Sequence, residues 1–172
     1  MTGYVALGSN VGDRDEHLRA GILAMHAAGL RLTAASSVWE TEPVGGAGPE
    51  WFLNMVVRIE TELAPEPALD VLLAIERARG RRRDRPNAPR ELDLDLLVLG
   101  SLRRSTPALI LPHPRMTERA FVLAPLAEIA PDLVLGDRTV AETLAVLHDP
   151  HAVTRRGPLA LPETLSVYSR AL

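Results

Sequence analysis

The sequence contains no cysteine, lysine or glutamine, and aromatic residues make up only 3% of it. The absence of cysteine excludes a disulfide framework and a thiolate zinc site. The absence of lysine excludes a Walker-type phosphate loop, and with it a P-loop kinase. The scarcity of aromatic side chains argues against nucleic acid as a partner, because single-stranded sites stack bases on aromatic rings.

Long apolar runs are also absent. No segment approaches the roughly 20 apolar residues that a membrane-spanning helix needs. The first residues have neither the basic flank nor the extended apolar core of a targeting segment. With a net charge of -3, the protein has no general attraction to anionic membranes or nucleic acid. These features predict a cytoplasmic protein with no membrane partner.

The length of 172 residues and the hydrophobic fraction of 47% predict a single domain over residues 1–172. The residues from about 148 to 172 are interrupted by proline and weakly patterned. They form either a docked C-terminal extension or a partly mobile one. For the oligomeric state we expect a monomer or a weak homodimer.

The spacing of apolar and turn-forming residues predicts the order strand, helix, strand, strand, helix, strand as far as Gly100. The predicted elements are a strand at Tyr4–Leu7, a helix from Asp13 to Gly29, strands at Leu30–Thr41 and Trp51–Leu63, a helix at Pro65–Arg79 and a strand ending at Gly100. This order indicates an α+β fold, a ferredoxin-like sandwich in which helices cover one face of a largely antiparallel sheet.

Beyond Gly100 we expect a short extended hairpin and then two helices. The first helix begins near Thr117, and Pro125 should kink or split it. The second is a short helix from Val140 to Leu147, capped by Thr139.

Two carboxylates, Asp93 and Asp95, stand two residues apart inside an apolar run. Side chains alternate between the faces of a strand, so both point the same way, roughly 7 Å apart, while Leu92, Leu94 and Leu96 point the other way. Such a pair often does no more than point into solvent from an exposed face of a strand. It also suits Mg²⁺, which takes one or two protein carboxylates and completes its shell with water and phosphate oxygens.

An arginine-rich segment precedes that strand. Its members are Arg77, Arg79, Arg81, Arg82, Arg83, Arg85 and Arg90. The first two suit the end of a helix, whose dipole favours cations. The others lie beyond Gly80, where that explanation weakens, and a guanidinium group binds phosphate oxygens through two parallel hydrogen bonds. Phosphate binding is therefore the better interpretation of these later arginines.

Other positions suggest a flat ring beside a phosphate. His113 lies between two prolines and is either structural or, near phosphate, a protonated imidazole that donates to a phosphate oxygen. Phe52 and Asn54 share one face of a strand; Phe52 could be ordinary core, but Asn54 would then need hydrogen-bond partners. A heterocycle satisfies both, because Phe52 stacks on its face and Asn54 bonds to its edge. Phe121 could close the other side.

Together and in this order, these residues resemble the 6-hydroxymethyl-7,8-dihydropterin pyrophosphokinase family, which transfers diphosphate from ATP to a pterin in folate biosynthesis. The matching segments are Ala6–Gly12, Thr41–Gly45, Phe52–Asn54, Glu76, Gly80–Arg81, Pro89–Asp95, Leu111–Arg115 and Glu118–Leu123. The resemblance extends from the first strand to about Pro131.

The resemblance implies a set of site residues, with ATP and the pterin as the small-molecule partners. Asp93 and Asp95 would bind two Mg²⁺ ions that bridge the ATP phosphates. The catalytic residues would be Arg81, Arg90, Asp93 and Asp95. The pterin would contact Thr41, Pro43, Val44, Phe52, Asn54 and Phe121. ATP would be held by Glu76, Arg81, Arg83, Arg90, Leu96, His113 and Arg119.

The sequence departs from some family members at Asn87, Ala108, Ile110 and Pro114, where those relatives carry an aromatic, polar or basic residue. The resemblance therefore does not carry over the individual nucleotide contacts at these four positions. Two other functions stay open at this point. One is a catalytically inert module that binds a nucleotide or RNA, and the other is a magnesium-dependent phosphotransferase acting on a different flat heterocycle.

Overall fold

The structure is a computed structural model that describes residues 1–43, 50–80 and 89–168. In chain order its elements are β1 (Thr2–Ser9), α1 (Arg14–Ala27), β2 (Arg31–Ala35), β3 (Ser37–Thr41), β4 (Phe52–Glu60), α2 (Pro65–Ala78), β5 (Asp93–Leu99), β6 (Arg104–Ser105), β7 (Ile110–Leu111), a 3₁₀ turn (Met116–Glu118), α3 (Ala120–Ile129), β8 (Val134–Leu135), β9 (Arg138–Thr139), α4 (Val140–Val146), β10 (Val153–Pro158) and α5 (Glu163–Ser166).

One sheet organises the described part of the chain. Its strand order is β10-β3-β4-β1-β5, and β2 pairs with β4 as well. All of these pairings are antiparallel. The predicted α+β fold with a largely antiparallel sheet is therefore confirmed. The predicted hairpin after Gly100 is also present, as β6 and β7.

Helices pack on both faces of the sheet. On the first face, α1 and α2 bury side chains such as Ile22 and Leu72. On the second face, α3 and α4 bury side chains such as Leu126. The prediction that helices cover only one face was wrong, because the central strands are apolar on both sides. In β4, for example, Met55 packs on the first face and Val56 on the second.

The predicted strand at Leu30–Thr41 is divided into β2 and β3 at Ser36. The buried Ser36 hydroxyl accepts a hydrogen bond from the Val56 backbone N–H at 3.0 Å and donates to the Ser37 carbonyl at 2.7 Å. The Ser36 backbone N–H donates to the Val56 carbonyl at 2.9 Å. A side-chain oxygen thus takes the place of a backbone acceptor, and both halves remain paired with β4.

Local capping explains where the helices begin and end. Asp13 accepts a hydrogen bond from the Glu16 N–H at the start of α1, and Thr139 forms a capping box at the start of α4, as predicted. Gly80 follows α2 with a φ of 93°. Contrary to the prediction, α3 begins only after the 3₁₀ turn, and Pro125 lies within it without splitting it.

The C-terminal extension is docked as far as it is described. Its strand β10 pairs with β3 at the edge of the sheet. The Ala35 N–H donates to the Tyr168 carbonyl at 2.8 Å, which holds the end of the described chain against the same region. None of the described helices has the length and apolarity needed to span a membrane.

We predict that Ser36→Ala lowers the free energy of unfolding by about 1–3 kcal/mol, because it leaves the buried Val56 N–H without its acceptor. Urea unfolding monitored by circular dichroism measures the change. The control is Ser105→Ala at an exposed position, which should change stability by less than about 0.5 kcal/mol. Equal stability of the two variants would contradict this account of the strand break.

Candidate active site

The candidate site lies on the second face of the sheet, where polar side chains form a row across three strands. In the antiparallel register, Asn54 of β4 lies opposite Gly8 of β1, and Gly8 lies opposite Asp93 of β5. Ala6 lies opposite Asp95 in the same way. Neighbouring strands are about 4.8 Å apart, so the backbones of Asn54 and Asp93 are about 10 Å apart. The register thus places an amide and two carboxylates on the same face of the sheet, and this face forms the floor of the candidate site.

A cavity of about 430 Å³ opens above this floor. Its lining includes residues predicted to contact the pterin and residues predicted to bind ATP or Mg²⁺. These are Thr41, Phe52, Asn54, Arg90, Asp93, Asp95, His113, Arg119 and Phe121. The sequence spacing had linked these residues only in small groups. The fold brings them to one cavity, because β3, β4 and β5 present their members on the same face and α3 supplies Phe121 from above. Arg90, His113 and Arg119 come from the segments that precede or follow these elements.

The amide of Asn54 is held in place. Asn54 is buried, and its Nδ2 donates to the Thr41 hydroxyl at 2.6 Å. Phe52 lines the cavity next to this pair, and Phe121 lines it from α3. The guanidinium of Arg119 lies 5.5 Å from the centre of the Phe121 ring, within the range of a cation–π contact. One end of the cavity therefore offers two aromatic side chains and an oriented amide.

Gly8 leaves open space on the floor between Asn54 and Asp93, because it has no side chain. A Cβ atom added there would lie 2.8 Å from Oδ1 of Asn54, which is closer than Cβ atoms approach other heavy atoms in real structures. Any side chain at this position would displace Asn54 and fill the space between the amide and Asp93. The predicted first strand ended at Leu7, whereas Gly8 lies within β1, so this position was missed.

The carboxylate of Asp93 has a cationic partner. Nη1 of Arg90 lies 2.7 Å from Oδ2 of Asp93, and both side chains are about four-fifths buried. Asn10 holds the Arg90 backbone at two points: its Oδ1 accepts from the Arg90 N–H at 2.8 Å, and its own N–H donates to the Arg90 carbonyl at 3.1 Å. The buried Asn10 was another residue that the sequence left without a role.

Asp93 and Asp95 meet the donor requirements of Mg²⁺. Both carboxylates line the cavity from the same face of β5. Among the described residues there is no cluster of three or more His, Asp or Glu side chains suited to a metal ion. Magnesium does not need such a cluster, because one or two carboxylates suffice when phosphates and water supply the other oxygens. The residues present therefore fit Mg²⁺ bound together with a phosphate ligand.

His113 is tied to β5 through its backbone. Its backbone N–H donates to the Leu97 carbonyl at 2.8 Å, and its Nδ1 accepts from the Arg115 N–H at 3.3 Å. Burial lowers the pKa of His113 below its ordinary value; Asp95 opposes this shift, while Arg119 and Arg115 add to it. Burial thus favours the neutral imidazole in the free protein, and the protonated form expected beside a phosphate stays a prediction. The Nε2–H can still donate to a phosphate oxygen.

A second cavity of about 290 Å³ contains the predicted residues Glu76 and Leu96. It shares Asp95, His113 and Pro114 with the first cavity. Glu76 is only 1% exposed, and its Oε1 accepts from the backbone N–H of Leu94 at 2.7 Å. Ala108 and Ile110, the positions that depart from some family members, also line this cavity. The two cavities therefore adjoin at Asp95, His113 and Pro114.

The remaining predicted residues are not placed in the site. Val44, Arg81 and Arg83 lie outside the described residues, as does Asn87. Pro43 is described but is not among the described residues that line either cavity.

Comparison with known proteins identifies the family. The family model described as 7,8-dihydro-6-hydroxymethylpterin-pyrophosphokinase matches residues 4–131. This chain belongs to that pyrophosphokinase family. The family that the motifs suggested is therefore confirmed.

Relatives in the pyrophosphokinase family cover most of the chain. A protein of Methylorubrum extorquens named 2-amino-4-hydroxy-6-hydroxymethyldihydropteridine pyrophosphokinase is 47% identical over 153 residues, which cover 88% of this chain and 96% of that protein. A Bacillus subtilis protein of the same name is 47% identical over 141 residues, covering 81% of this chain and 84% of the relative.

A solved structure of Plasmodium falciparum HPPK-DHPS with pteroate matches with a TM-score of 0.67 at 12% identity. The match covers 84% of this chain and 44% of that longer chain. At this level of identity the likeness concerns the fold alone, and it confirms the predicted ferredoxin-like class.

We predict that Gly8→Ala weakens binding of the pterin expected from the sequence by about tenfold, because displacement of a positioning group by a fraction of an ångström is costly. The backbone at Gly8 is not in the left-handed region, so alanine adds a side chain without backbone strain. Calorimetric titration with the pterin measures the effect, and titration with a non-hydrolysable ATP analogue is the control. Unchanged pterin affinity would show that the floor at Gly8 is not part of the ring site.

Proposed function

We propose that this chain transfers diphosphate from ATP to the hydroxymethyl oxygen of 6-hydroxymethyl-7,8-dihydropterin and releases AMP. Membership of the pyrophosphokinase family and the names of the relatives establish the pyrophosphokinase function in folate biosynthesis. The observation that carries the proposal for this site is the row of Asn54, Gly8 and Asp93, which joins a ring-binding end to a phosphate-binding end. An inert module that binds a nucleotide or RNA would not need this juxtaposition.

The pterin ring is proposed to lie between Phe52 and Phe121. Aromatic side chains favour stacked or edge-to-face contact with a flat ring. The Asn54 amide offers both a donor and an acceptor, which matches the alternating donors and acceptors along a pterin edge. Because Asn54 already donates to Thr41, its orientation is set before the ring arrives, which reduces the entropy lost on binding.

ATP is proposed to place its base in the second cavity and its phosphates along His113 towards Asp95. In the described sheet β5 is an edge strand, so its outer backbone groups can bond to the edge of a base. Leu96 and the neighbouring apolar side chains contact the base, while Glu76 fixes the β5 backbone through Leu94. From there the triphosphate reaches the first cavity through the region that Asp95 and His113 share.

Asp93 and Asp95 are proposed to hold two Mg²⁺ ions. When bound, Mg²⁺ neutralises phosphate charge and polarises phosphoryl oxygens. In the free protein the guanidinium of Arg90 supplies the positive charge beside Asp93, at 2.7 Å. When ATP and metal bind, Arg90 can exchange this carboxylate for a phosphate oxygen. The ion pair therefore keeps the carboxylate neutralised until the substrate complex forms.

The chemical step is an in-line displacement at the β-phosphorus. A bond forms between the pterin hydroxymethyl oxygen and this phosphorus, and the bond to the oxygen that bridges the α- and β-phosphates breaks. The bonding electrons leave with that oxygen on AMP, and the hydroxyl proton passes to water. Arg90, with Arg119 and the Nε2–H of His113, would stabilise charge on the transferring group. Arg81 and Arg83 are proposed to add phosphate contacts.

Formation of AMP or of ADP distinguishes diphosphate transfer from ordinary kinase chemistry. We expect the protein, incubated with ATP, Mg²⁺ and 6-hydroxymethyl-7,8-dihydropterin, to form AMP and the pterin diphosphate in equal amounts by chromatography. EDTA should stop the reaction. Formation of ADP would indicate ordinary kinase chemistry, and ATP binding without turnover would favour the inert module.

We predict that Asp95→Asn lowers kcat on the order of 10² to 10³-fold, because it removes a charge that the phosphate site requires. The control is Asp137→Asn in the exposed turn between β8 and β9, which should keep wild-type turnover. Circular dichroism confirms that both variants are folded. Near-native turnover of a folded Asp95→Asn variant would show that this carboxylate does not serve the phosphate site.

A further inference from the structure

The segment from Asp149 to Val153 connects two walls of the candidate cavity, although it lies beyond residues 4–131 that the family model matches. On the sheet side it contacts the end of β3. The Glu42 N–H donates to the Ala152 carbonyl at 3.0 Å, and the Ala152 N–H donates to Oε2 of Glu42 at 3.2 Å. Val153 then pairs with Thr41 in the sheet register. Glu42 and Thr41 both line the cavity.

On the helix side the same segment contacts the start of α3. Oδ2 of Asp149 accepts from the N–H of Ala120, the first residue of the helix, at 3.0 Å. Helices begin with backbone N–H groups that have no partner inside the helix, and a carboxylate there is favoured by the helix dipole. The residue before the helix, Arg119, makes no side-chain cap within the described structure. Asp149 supplies that cap from 29 residues away.

The carboxylate of Asp149 is itself fixed. Its Oδ1 accepts from the His151 N–H at 3.0 Å and lies 2.6 Å from Nδ1 of the same histidine. The side chain of Asp149 is only 10% exposed. Burial alone would raise the pKa of Asp149, but the hydrogen bonds from His151 and Ala120 outweigh it, and the net shift is downward. The group is therefore a charged acceptor at neutral pH.

We propose that Asp149 is a positioning residue for pterin binding: by capping α3 it holds Phe121 at a fixed distance from the wall formed by Thr41 and Glu42. This inference rests on the proposed function of the cavity. Phe121 follows Ala120 directly, so any shift in the first turn of α3 moves the ring. The far end of α3 is anchored separately, because Glu128 accepts from the Ser37 N–H at 2.7 Å and from Nε1 of Trp39 at 2.8 Å. The helix start is thus the end that depends on Asp149.

The test compares two variants that each remove a helix cap. Asp149→Ala removes the cap of α3, and Thr139→Ala removes the capping box of α4, which does not line the cavity. Pterin affinity is measured by calorimetric titration in the presence of Mg²⁺ and a non-hydrolysable ATP analogue, and thermal unfolding is measured alongside.

We expect both variants to unfold at lower temperature and only Asp149→Ala to bind the pterin about tenfold more weakly, because a preorganised wall is lost. Asp149→Asn keeps an oxygen acceptor for Ala120 and should restore most of the affinity. If Asp149→Ala does not fold, His151→Ala decides, with an expected loss of about threefold, since the carboxylate is then less fixed.

Pterin affinity equal to wild type in a folded Asp149→Ala variant, or the same loss in Thr139→Ala, would show that Asp149 only stabilises the fold. A wild-type protein that binds the pterin but forms no AMP would refute the proposed reaction. The pterin affinities of the variants would still decide whether Asp149 is a positioning residue. A wild type that does not bind the pterin would overturn both, because there would be no ring site for Asp149 to support.

Discussion

The site depends on the register between β4, β1 and β5. Side chains alternate along a strand, so a slip of one residue in either pairing would move Asn54 or Asp93 to the opposite face of the sheet. The register is fixed because these strands bury apolar side chains on both faces, as with Leu7 towards α1 and α2 and Tyr4 towards α3. A slip would therefore expose or misplace core residues on both sides. The same packing that stabilises the sheet keeps Asn54 and Asp93 on one face of it.

Around this rigid floor, the other groups are held by contacts that are distant in sequence. Asn10 fixes the backbone of Arg90, which lies 80 residues later, and the C-terminal segment caps α3 at Ala120. Each contact uses a side-chain acceptor to satisfy a backbone N–H that secondary structure leaves without a partner. These polar side chains near the cavity hold the backbone in place. The backbone in turn fixes the positions from which the side chains of Arg90 and Phe121 extend.

Part of the site could be predicted from the sequence, because side chains alternate between the two faces of a strand. Asp93 with Asp95, and Phe52 with Asn54, are each two residues apart in a strand, so their shared faces required no knowledge of the fold. The contacts of Gly8, Asn10 and Asp149 could not be predicted, because they come from strand register and from pairing between remote segments. The helices on the second face had a signal that was overlooked: the run Leu96–Leu99 is apolar without alternation, which is typical of a strand covered on both faces.

We propose that one face of this sheet holds both the pterin and the phosphates of ATP. The decisive experiment is a crystal structure with Mg²⁺, a non-hydrolysable ATP analogue and 6-hydroxymethyl-7,8-dihydropterin. We expect Mg²⁺ at about 2.1 Å from carboxylate oxygens of Asp93 and Asp95, with the pterin ring between Phe52 and Phe121. A metal ion bound away from both carboxylates, or a pterin bound on the face covered by α1 and α2, would contradict it.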